Sequence, residues 1–161
     1  MGNTGSLQIT TPSDRELAMT RVFDAPARLV FDAYTKPELL KRWLGVFGGW
    51  SLDVCEVDLK VGGSYRWVWR NSNGKEMGVS GRYREIAPAA RIVSTEKFDD
   101  PWYEGEAVGT VEFLEEGGKT TLVSTMLYDS KEIRDSILKS GMESGVARSY
   151  DKLDEVLESL A

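Results

Sequence analysis

The chain of 161 residues contains no histidine and a single cysteine, Cys55. The lack of histidine excludes Ser-His-Asp and Cys-His catalytic groups, and it excludes zinc sites with histidine ligands. A lone cysteine cannot form a disulfide within the chain, which agrees with a reducing, cytoplasmic environment. Because Cys55 lies in an alternating run of polar and apolar residues, we expect a small strand side chain rather than a reactive thiol.

Long apolar runs and basic residues are also scarce. No run approaches the roughly 20 residues that a membrane-spanning helix needs. Lys and Arg number 20 against 26 Asp and Glu, for a net charge of −6. Proteins that bind phosphate backbones generally need a basic surface, so we expect neither nucleic acid nor a membrane as a partner. The glycine pairs match no phosphate-binding loop, and we expect no metal and no cofactor.

The apolar residues that are present suffice for one folded domain. They make up 41% of the chain, and 161 residues fit a domain of ordinary size. We expect a flexible polar leader over residues 1–14 and a single domain over 15–161. The patterns predict a strand at 16–23, two short helices up to Leu44, and then six strands. These six strands are predicted at 50–59, 65–70, 77–86, 91–98, 107–114 and 120–128.

The last segment is predicted to be one long helix that ends near Leu160. Its start carries two candidate caps, Asp129 paired with Glu132 or, alternatively, Ser130. Gly141 and Gly145 would then lie in mid-helix on the inward face, where each costs about 1 kcal/mol relative to alanine. Two interpretations explain such glycines: the helix packs closely against a sheet, or the missing side chains leave space for a ligand. Strands followed by a long helix make an α+β protein.

Large aromatic residues share several of the predicted strand faces and favour an apolar pocket for a small molecule. For each tryptophan taken singly, core filling is the better interpretation. Trp102 differs because it lies in the loop Asp99-Asp-Pro-Trp-Tyr-Glu104, where a lid or pocket rim is the better interpretation. The predicted ligand-binding residues are Trp43, Trp67, Trp69, Tyr83, Phe98, Trp102, Met126, Gly141, Met142 and Val146.

Candidate catalytic groups are limited to carboxylates. Glu96 on a strand and Glu104 in the following loop would supply acid–base chemistry if one of them were buried with a raised pKa. The other interpretation is a solvated acidic rim. Four arginines alternate away from the aromatic residues and are predicted to face outward, paired with acids on neighbouring strands. They are Arg66, Arg70, Arg82 and Arg84.

Several short motifs follow one another in a specific order along most of the chain. They are Val22-Phe-Asp-Ala-Pro26, Val30-Phe-Asp-Ala-Tyr-Thr-Lys-Pro-Glu-Leu-Leu-Lys-Arg-Trp43, Val57-Asp-Leu-Lys-Val-Gly-Gly-Ser-Tyr-Arg66, Gly81-Arg-Tyr-Arg-Glu-Ile-Ala-Pro88, Glu116-Gly-Gly-Lys-Thr-Thr-Leu122 and Ser140-Gly-Met-Glu-Ser-Gly145. With them, from about Thr20 to Leu157, the chain resembles the family of homologues of the activator of the heat-shock-protein-90 ATPase (AHSA1-like). That family belongs to the START-like (Bet v 1-like, SRPBCC) superfamily.

The resemblance implies the helix-grip fold, in which an antiparallel sheet curves around the C-terminal helix and leaves a cavity between them. Relatives carry Trp after the second helix glycine, where this chain has Val146. If that position lines the cavity, the cavity here is larger or differently shaped. The family motifs are architectural, so they carry over no catalytic residue.

Three functions follow from these observations. The first is binding of a small hydrophobic or aromatic ligand in the cavity, with no reaction. The second is an enzyme of cyclase or hydrolase type, which requires Glu96 or Glu104 to point into the pocket. The third is a protein interaction of the co-chaperone kind. The sequence is also compatible with a homodimer.

Overall fold

The structure, a computed structural model, describes residues 7–100, 103 and 105–161. Over these residues the chain is α+β, as predicted. The strands are β1 (Gln8–Thr10), β2 (Glu16–Phe23), β3 (Trp50–Val57), β4 (Ser64–Asn71), β5 (Glu76–Ala87), β6 (Arg91–Phe98), β7 (Ala107–Glu116) and β8 (Lys119–Leu127). The helices are α1 (Ala27–Thr35), α2 (Pro37–Trp43), α3 (Lys131–Lys139) and α4 (Met142–Leu160).

The eight strands form one antiparallel sheet in the order β1-β2-β8-β7-β6-β5-β4-β3. The pair of short helices α1 and α2 follows β2 near one edge of the sheet and leads to β3 at the opposite edge. The crossing therefore spans one side of the sheet, where both helices also contact α4. A curved antiparallel sheet against a long C-terminal helix is the helix-grip architecture that the resemblance implied.

Two elements differ from the sequence prediction. Residues 8–10, inside the segment expected to be a polar leader, form β1 and pair with β2, for example Gln8 with Thr20. A three-residue edge strand with one half-buried side chain, Ile9, has too little periodicity to stand out in a polar stretch. The second difference lies at the C-terminal helix.

The single long helix predicted up to Leu160 is wrong, because the chain forms two helices that meet at Gly141. Ser130 begins α3, and its side-chain oxygen accepts a hydrogen bond from the backbone N–H of Ile133 at 3.2 Å. Gly141 has a φ of +81° and caps the start of α4, so it is neither in mid-helix nor part of an inward stripe. Glycine adopts this left-handed backbone at no steric cost, which explains the residue at the break.

The C-terminal half of α4 packs directly on the body of the protein. Leu153 is fully buried, and Val156 and Leu157 are buried beside it. The ring of Tyr150 meets Phe23 of β2 edge-on, with the ring centroids 5.7 Å apart. Burying apolar side chains of this size contributes about 1.5–3 kcal/mol each, so this half of the helix is firmly held.

An ion pair supports the same half of α4. The guanidinium of Arg21, buried under the helix, donates to Asp151 at 2.9 Å and lies 3.7 Å from Asp154. A buried arginine is retained only where carboxylates neutralise it. The pair therefore sets the position of α4 relative to β2.

We predict opposite stability effects for the two glycines of this region. Gly141→Ala forces a left-handed backbone on an L residue and is expected to lower the free energy of unfolding by about 1 kcal/mol. Gly145→Ala adds a methyl group in a helix, 3.7 Å from the ring of Phe47, and is expected to raise it by about 0.5–1 kcal/mol. Urea denaturation of both variants checks this, and equal effects at the two positions would contradict the helix break.

Candidate functional site

A cavity of about 610 Å³ separates the sheet from the N-terminal half of α4. Alternate residues of β4 to β8 point into it, as the two-residue period of a strand requires. On β6 the alternation runs through Ile92, Ser94, Glu96 and Phe98. The lining residues of the other strands are Met19 on β2, Trp50 on β3, Tyr65, Trp67 and Trp69 on β4, Met77 and Tyr83 on β5, Gly109 and Val111 on β7, and Ser124 and Met126 on β8.

Aromatic side chains form one wall of this cavity. Tyr65, Trp67 and Trp69 alternate along β4, and their ring centroids are 4.5 Å apart for the first pair and 6.2 Å for the second. Trp69 is fixed in place because its indole N–H donates to the carbonyl of Leu44 at 2.8 Å. Rings held in this way offer large apolar surface with few rotamers to lose on binding.

The opposite wall is the N-terminal half of α4 together with the segment that follows α2. Met142, Gly145 and Val146 face the cavity from the helix, and Phe47 faces it from the segment. A Cβ built on Gly145 would contact Phe47 at 3.7 Å and no strand atom within 4 Å. Of the two interpretations that the sequence left open for this glycine, the structure therefore supports space over close packing.

The hydrogen bond between this segment and α4 keeps the wall together. The backbone N–H of Gly45 donates to the hydroxyl oxygen of Ser149 at 3.0 Å, and both residues border the cavity. Tyr34 of α1 and Tyr150 of α4 also border the cavity, and the hydroxyl of Tyr34 donates to that of Tyr150 at 3.3 Å. Burial raises the pKa of both phenols, that of Tyr34 well above the usual range, so both stay neutral.

Glu96 carries the single formal charge among the described residues that line the cavity. It is half-buried, and burial raises the pKa of its carboxyl group from 4.5 to about 7. Three phenols lie near it: burial first, and then the negative charge of Glu96, raise the pKa values of Tyr65, Tyr103 and Tyr128. For Tyr103 the pKa rises to about 12, so a phenol here remains a neutral donor at physiological pH.

A glycine on β5 lets one of these phenols reach the end of β6. The hydroxyl of Tyr65 donates to the carbonyl of Thr95 at 2.6 Å, next to Glu96 in the chain. The ring passes over Gly81, where a Cβ would lie 2.5 Å from the ring and 1.9 Å from the Thr95 oxygen. Only glycine allows this approach, so Gly81 determines how Tyr65 is placed beside Glu96.

Most of the residues predicted to bind a ligand border this cavity. They are Trp43, Trp67, Trp69, Tyr83, Phe98, Met126, Met142 and Val146, and the catalytic candidate Glu96 joins them. Gly141 does not line the cavity, because it serves as the cap of α4. Trp102 and Glu104 lie outside the described residues.

Other lining residues escaped the sequence prediction. Phe47 lies in a glycine-flanked segment without periodicity, and Tyr103 lies in a loop, so neither carried a signal of strand or helix. Tyr128 directly follows β8 and continues its inward alternation from Ser124 and Met126, which the pattern alone would have indicated. Its ring meets that of Tyr103 edge-on at 5.8 Å.

Of the four arginines predicted to face outward and pair with acids, two have the predicted partners. Arg66 pairs with Asp99 at the surface, and Arg70 pairs with Asp53 and Glu76. Arg82 is exposed as predicted, but it donates to the carbonyl of Gly62 at 3.1 Å. Cys55 of β3 lies opposite Trp67 and so on the inner face of the sheet, where it is half-buried against the core. Burial raises the pKa of its thiol to about 11, which keeps it protonated and unreactive. Within residues 7–100, 103 and 105–161, no three acidic or thiol side chains gather as a metal site.

None of the helices in the described part of the chain is both long and apolar enough to cross a membrane.

Comparison with known proteins gives a consistent picture. A protein-family model described as "Activator of Hsp90 ATPase homolog 1-like protein" matches residues 24–158. A protein from Rhodobacter sphaeroides of solved structure is 30% identical, with a TM-score of 0.91 over 96% of this chain and 99% of its own. One from Nitrosomonas europaea is 25% identical, with a TM-score of 0.80 over 91% and 96%. A search of the curated proteins finds no match.

A further solved structure is described as an HSP90 activator from Plasmodium falciparum. It is 29% identical to this chain, with a TM-score of 0.54 over 70% of this chain and 72% of its own.

We predict that Glu96 makes the protein less stable as the pH rises. The folded-state pKa of about 7 exceeds the ordinary value of 4.5, so the folded protein binds this proton more tightly than the unfolded chain. The contribution of the bound proton to the stability of the folded state is complete below pH 4.5 and is lost as pH rises through 7. Glu96→Gln is therefore expected to match the wild type at pH 4.5 and to exceed it by about 1–3 kcal/mol at pH 8.

Denaturation at a series of pH values measures this difference. Glu56→Gln, on the exposed side of β3, is the matched control and should show no such gain. A pH-independent difference between wild type and Glu96→Gln would contradict the burial of this carboxyl group.

Proposed function

The chain belongs to the family of Activator of Hsp90 ATPase homolog 1-like proteins, and from this premise we propose that it binds a small hydrophobic or aromatic molecule between the sheet and α4. The observation that carries the proposal is the aromatic cavity of about 610 Å³. Protein interiors have the packing density of organic crystals and few voids larger than a water molecule. Ligand pockets occupy about 300–1,000 Å³, so a cavity of this volume supports a ligand-binding role.

The lining supports an apolar or aromatic ligand. Tryptophan and tyrosine rings cover the sheet side, and the methionine side chains of Met126 and Met142 adapt to ligands of different shape. Serine and tyrosine hydroxyls add a few polar contacts that would orient the ligand. This combination of a large apolar surface and sparse polar groups is typical of small-molecule sites.

Acid–base catalysis in the same cavity is the second candidate function. It is favoured by Glu96, which borders the cavity and has a pKa of about 7, near the value that suits a general acid or base at neutral pH. Native mass spectrometry of the protein from its own cells would identify a bound molecule. Incubation of that molecule with the wild type and with Glu96→Gln then tests turnover. Catalysis by Glu96 predicts that the wild type converts the molecule and that Glu96→Gln does not.

The likeness to an HSP90 activator supports a co-chaperone interaction as the remaining alternative. That interaction would use the outer surface and would not require an internal cavity of this size. Stimulation of the ATPase of a chaperone of the Hsp90 type by the purified protein would support it. Val146→Trp, which fills part of the cavity, is expected to leave such stimulation unchanged.

We predict that the purified protein binds the uncharged fluorescent probe N-phenyl-1-naphthylamine and that Val146→Trp weakens this binding by about tenfold or more. Val146 borders the cavity on α4, so an indole at this position occupies the volume that the probe needs. Fluorescence titration measures both affinities.

Glu155→Trp is the matched control. Residue 155 lies on the exposed side of the same helix, so the same new side chain should leave probe affinity unchanged. Absence of probe binding by the wild type, or equal weakening by both tryptophan variants, would refute a ligand site in the cavity.

A further inference from the structure

The cavity presents one carboxylate in an otherwise uncharged lining. Of its described residues, Glu96 alone carries a formal charge, and no described Lys or Arg borders the space. An ionised carboxylate is expensive to hold in apolar surroundings unless a cation or several hydrogen bonds compensate it. Among the described residues the lining supplies phenols near Glu96 and no cation, so a positive charge on the ligand would compensate the carboxylate.

The groups around Glu96 also suit a cation. Tyr65, Tyr103 and Tyr128 lie close enough for its charge to affect them, and Trp67 packs against Tyr65 at 4.5 Å between ring centroids. Aromatic faces carry a negative quadrupole and attract ammonium groups, most strongly where water is excluded. A carboxylate beside such rings is a recognised combination for binding a positively charged amine.

Ligands of other charge fit less well. A carboxylic acid would place a second negative charge near Glu96, and like charges in one cavity oppose binding. The net charge of −6 adds a weak repulsion for anions and a weak attraction for cations. A neutral ligand would leave the ionised carboxylate uncompensated, or require it to stay protonated.

We propose that the ligand class of this cavity is a basic amine on a hydrophobic or aromatic body, with its ammonium group paired to the carboxylate of Glu96. The inference rests on the proposed function and names the chemistry of the ligand at that site. When the carboxyl group is protonated before binding, its proton passes to solvent and the ammonium takes its place. No covalent bond forms or breaks.

The test compares three probes that share one aromatic body. They are 2-(2-naphthyl)ethylamine, which is cationic, 2-(2-naphthyl)ethanol, which is neutral, and 2-naphthylacetate, which is anionic. Displacement of N-phenyl-1-naphthylamine at pH 8 gives their affinities. We expect the amine to bind about tenfold or more tightly than the alcohol, and the acetate to bind more weakly than the alcohol.

Two further measurements assign the preference to Glu96. In Glu96→Gln the amine is expected to bind no better than the alcohol, whose own affinity stays within about threefold of the wild-type value. Glu56→Gln, which removes an exposed carboxylate, is expected to retain the preference.

The pH dependence of the wild type gives a readout that needs no variant. The amine is charged throughout pH 6–8, while the ionised fraction of Glu96 rises about tenfold over this range for a pKa near 7. The phenols of Tyr65, Tyr83, Tyr103 and Tyr128, whose pKa values burial raises, stay neutral. Amine affinity is therefore expected to rise about tenfold between pH 6 and pH 8, while alcohol affinity does not rise.

The outcomes separate this inference from the proposed function. If the wild type binds N-phenyl-1-naphthylamine and the alcohol but shows no preference for the amine, the amine proposal fails and the hydrophobic site stands. If it binds none of the probes, the proposed function fails as well. An amine preference that survives in a folded Glu96→Gln protein, or that does not change with pH, would also overturn the pairing.

Discussion

The architecture depends on α4 being held to the sheet by only one of its halves. Leu153, Val156 and Leu157 are buried, and the Arg21 ion pairs fix the same end of the helix over β2. The other half, from Met142 to Ser149, borders open volume. Because the C-terminal half supplies the apolar burial, the protein can keep a space of about 610 Å³ without losing the helix.

The carboxyl group of Glu96 links the stability of the protein to the ligand site that we propose. An apolar lining makes the ionised form unfavourable, which raises its pKa to about 7 and lowers stability at alkaline pH. In the proposed complex, the ligand would compensate the charge of this residue, which lowers stability in the empty protein. Functional sites commonly contain such destabilising groups, because the same low dielectric strengthens the interaction with the partner.

The family supplies the scaffold, and the lining determines the chemistry. Strand alternation turns one face of β4 to β8 toward the cavity, so a few inward side chains can change the ligand class while the sheet is retained. Val146 and Glu96 are two such positions here. The first affects the volume beside α4, and the second determines the charge inside the cavity.

The sequence by itself determined the fold class, because strand alternation and helix periodicity follow from local geometry. It also indicated most of the aromatic wall, since Trp67 and Trp69 share one parity. Tertiary structure alone decided what Gly141 does, because a left-handed cap and a mid-helix glycine look alike in sequence. It also decided which carboxylate is buried. Glu96 and Asp99 lie three residues apart, yet one faces the cavity and the other pairs with Arg66 at the surface. Burial depends on the elements packed around a residue, and these come from distant parts of the chain.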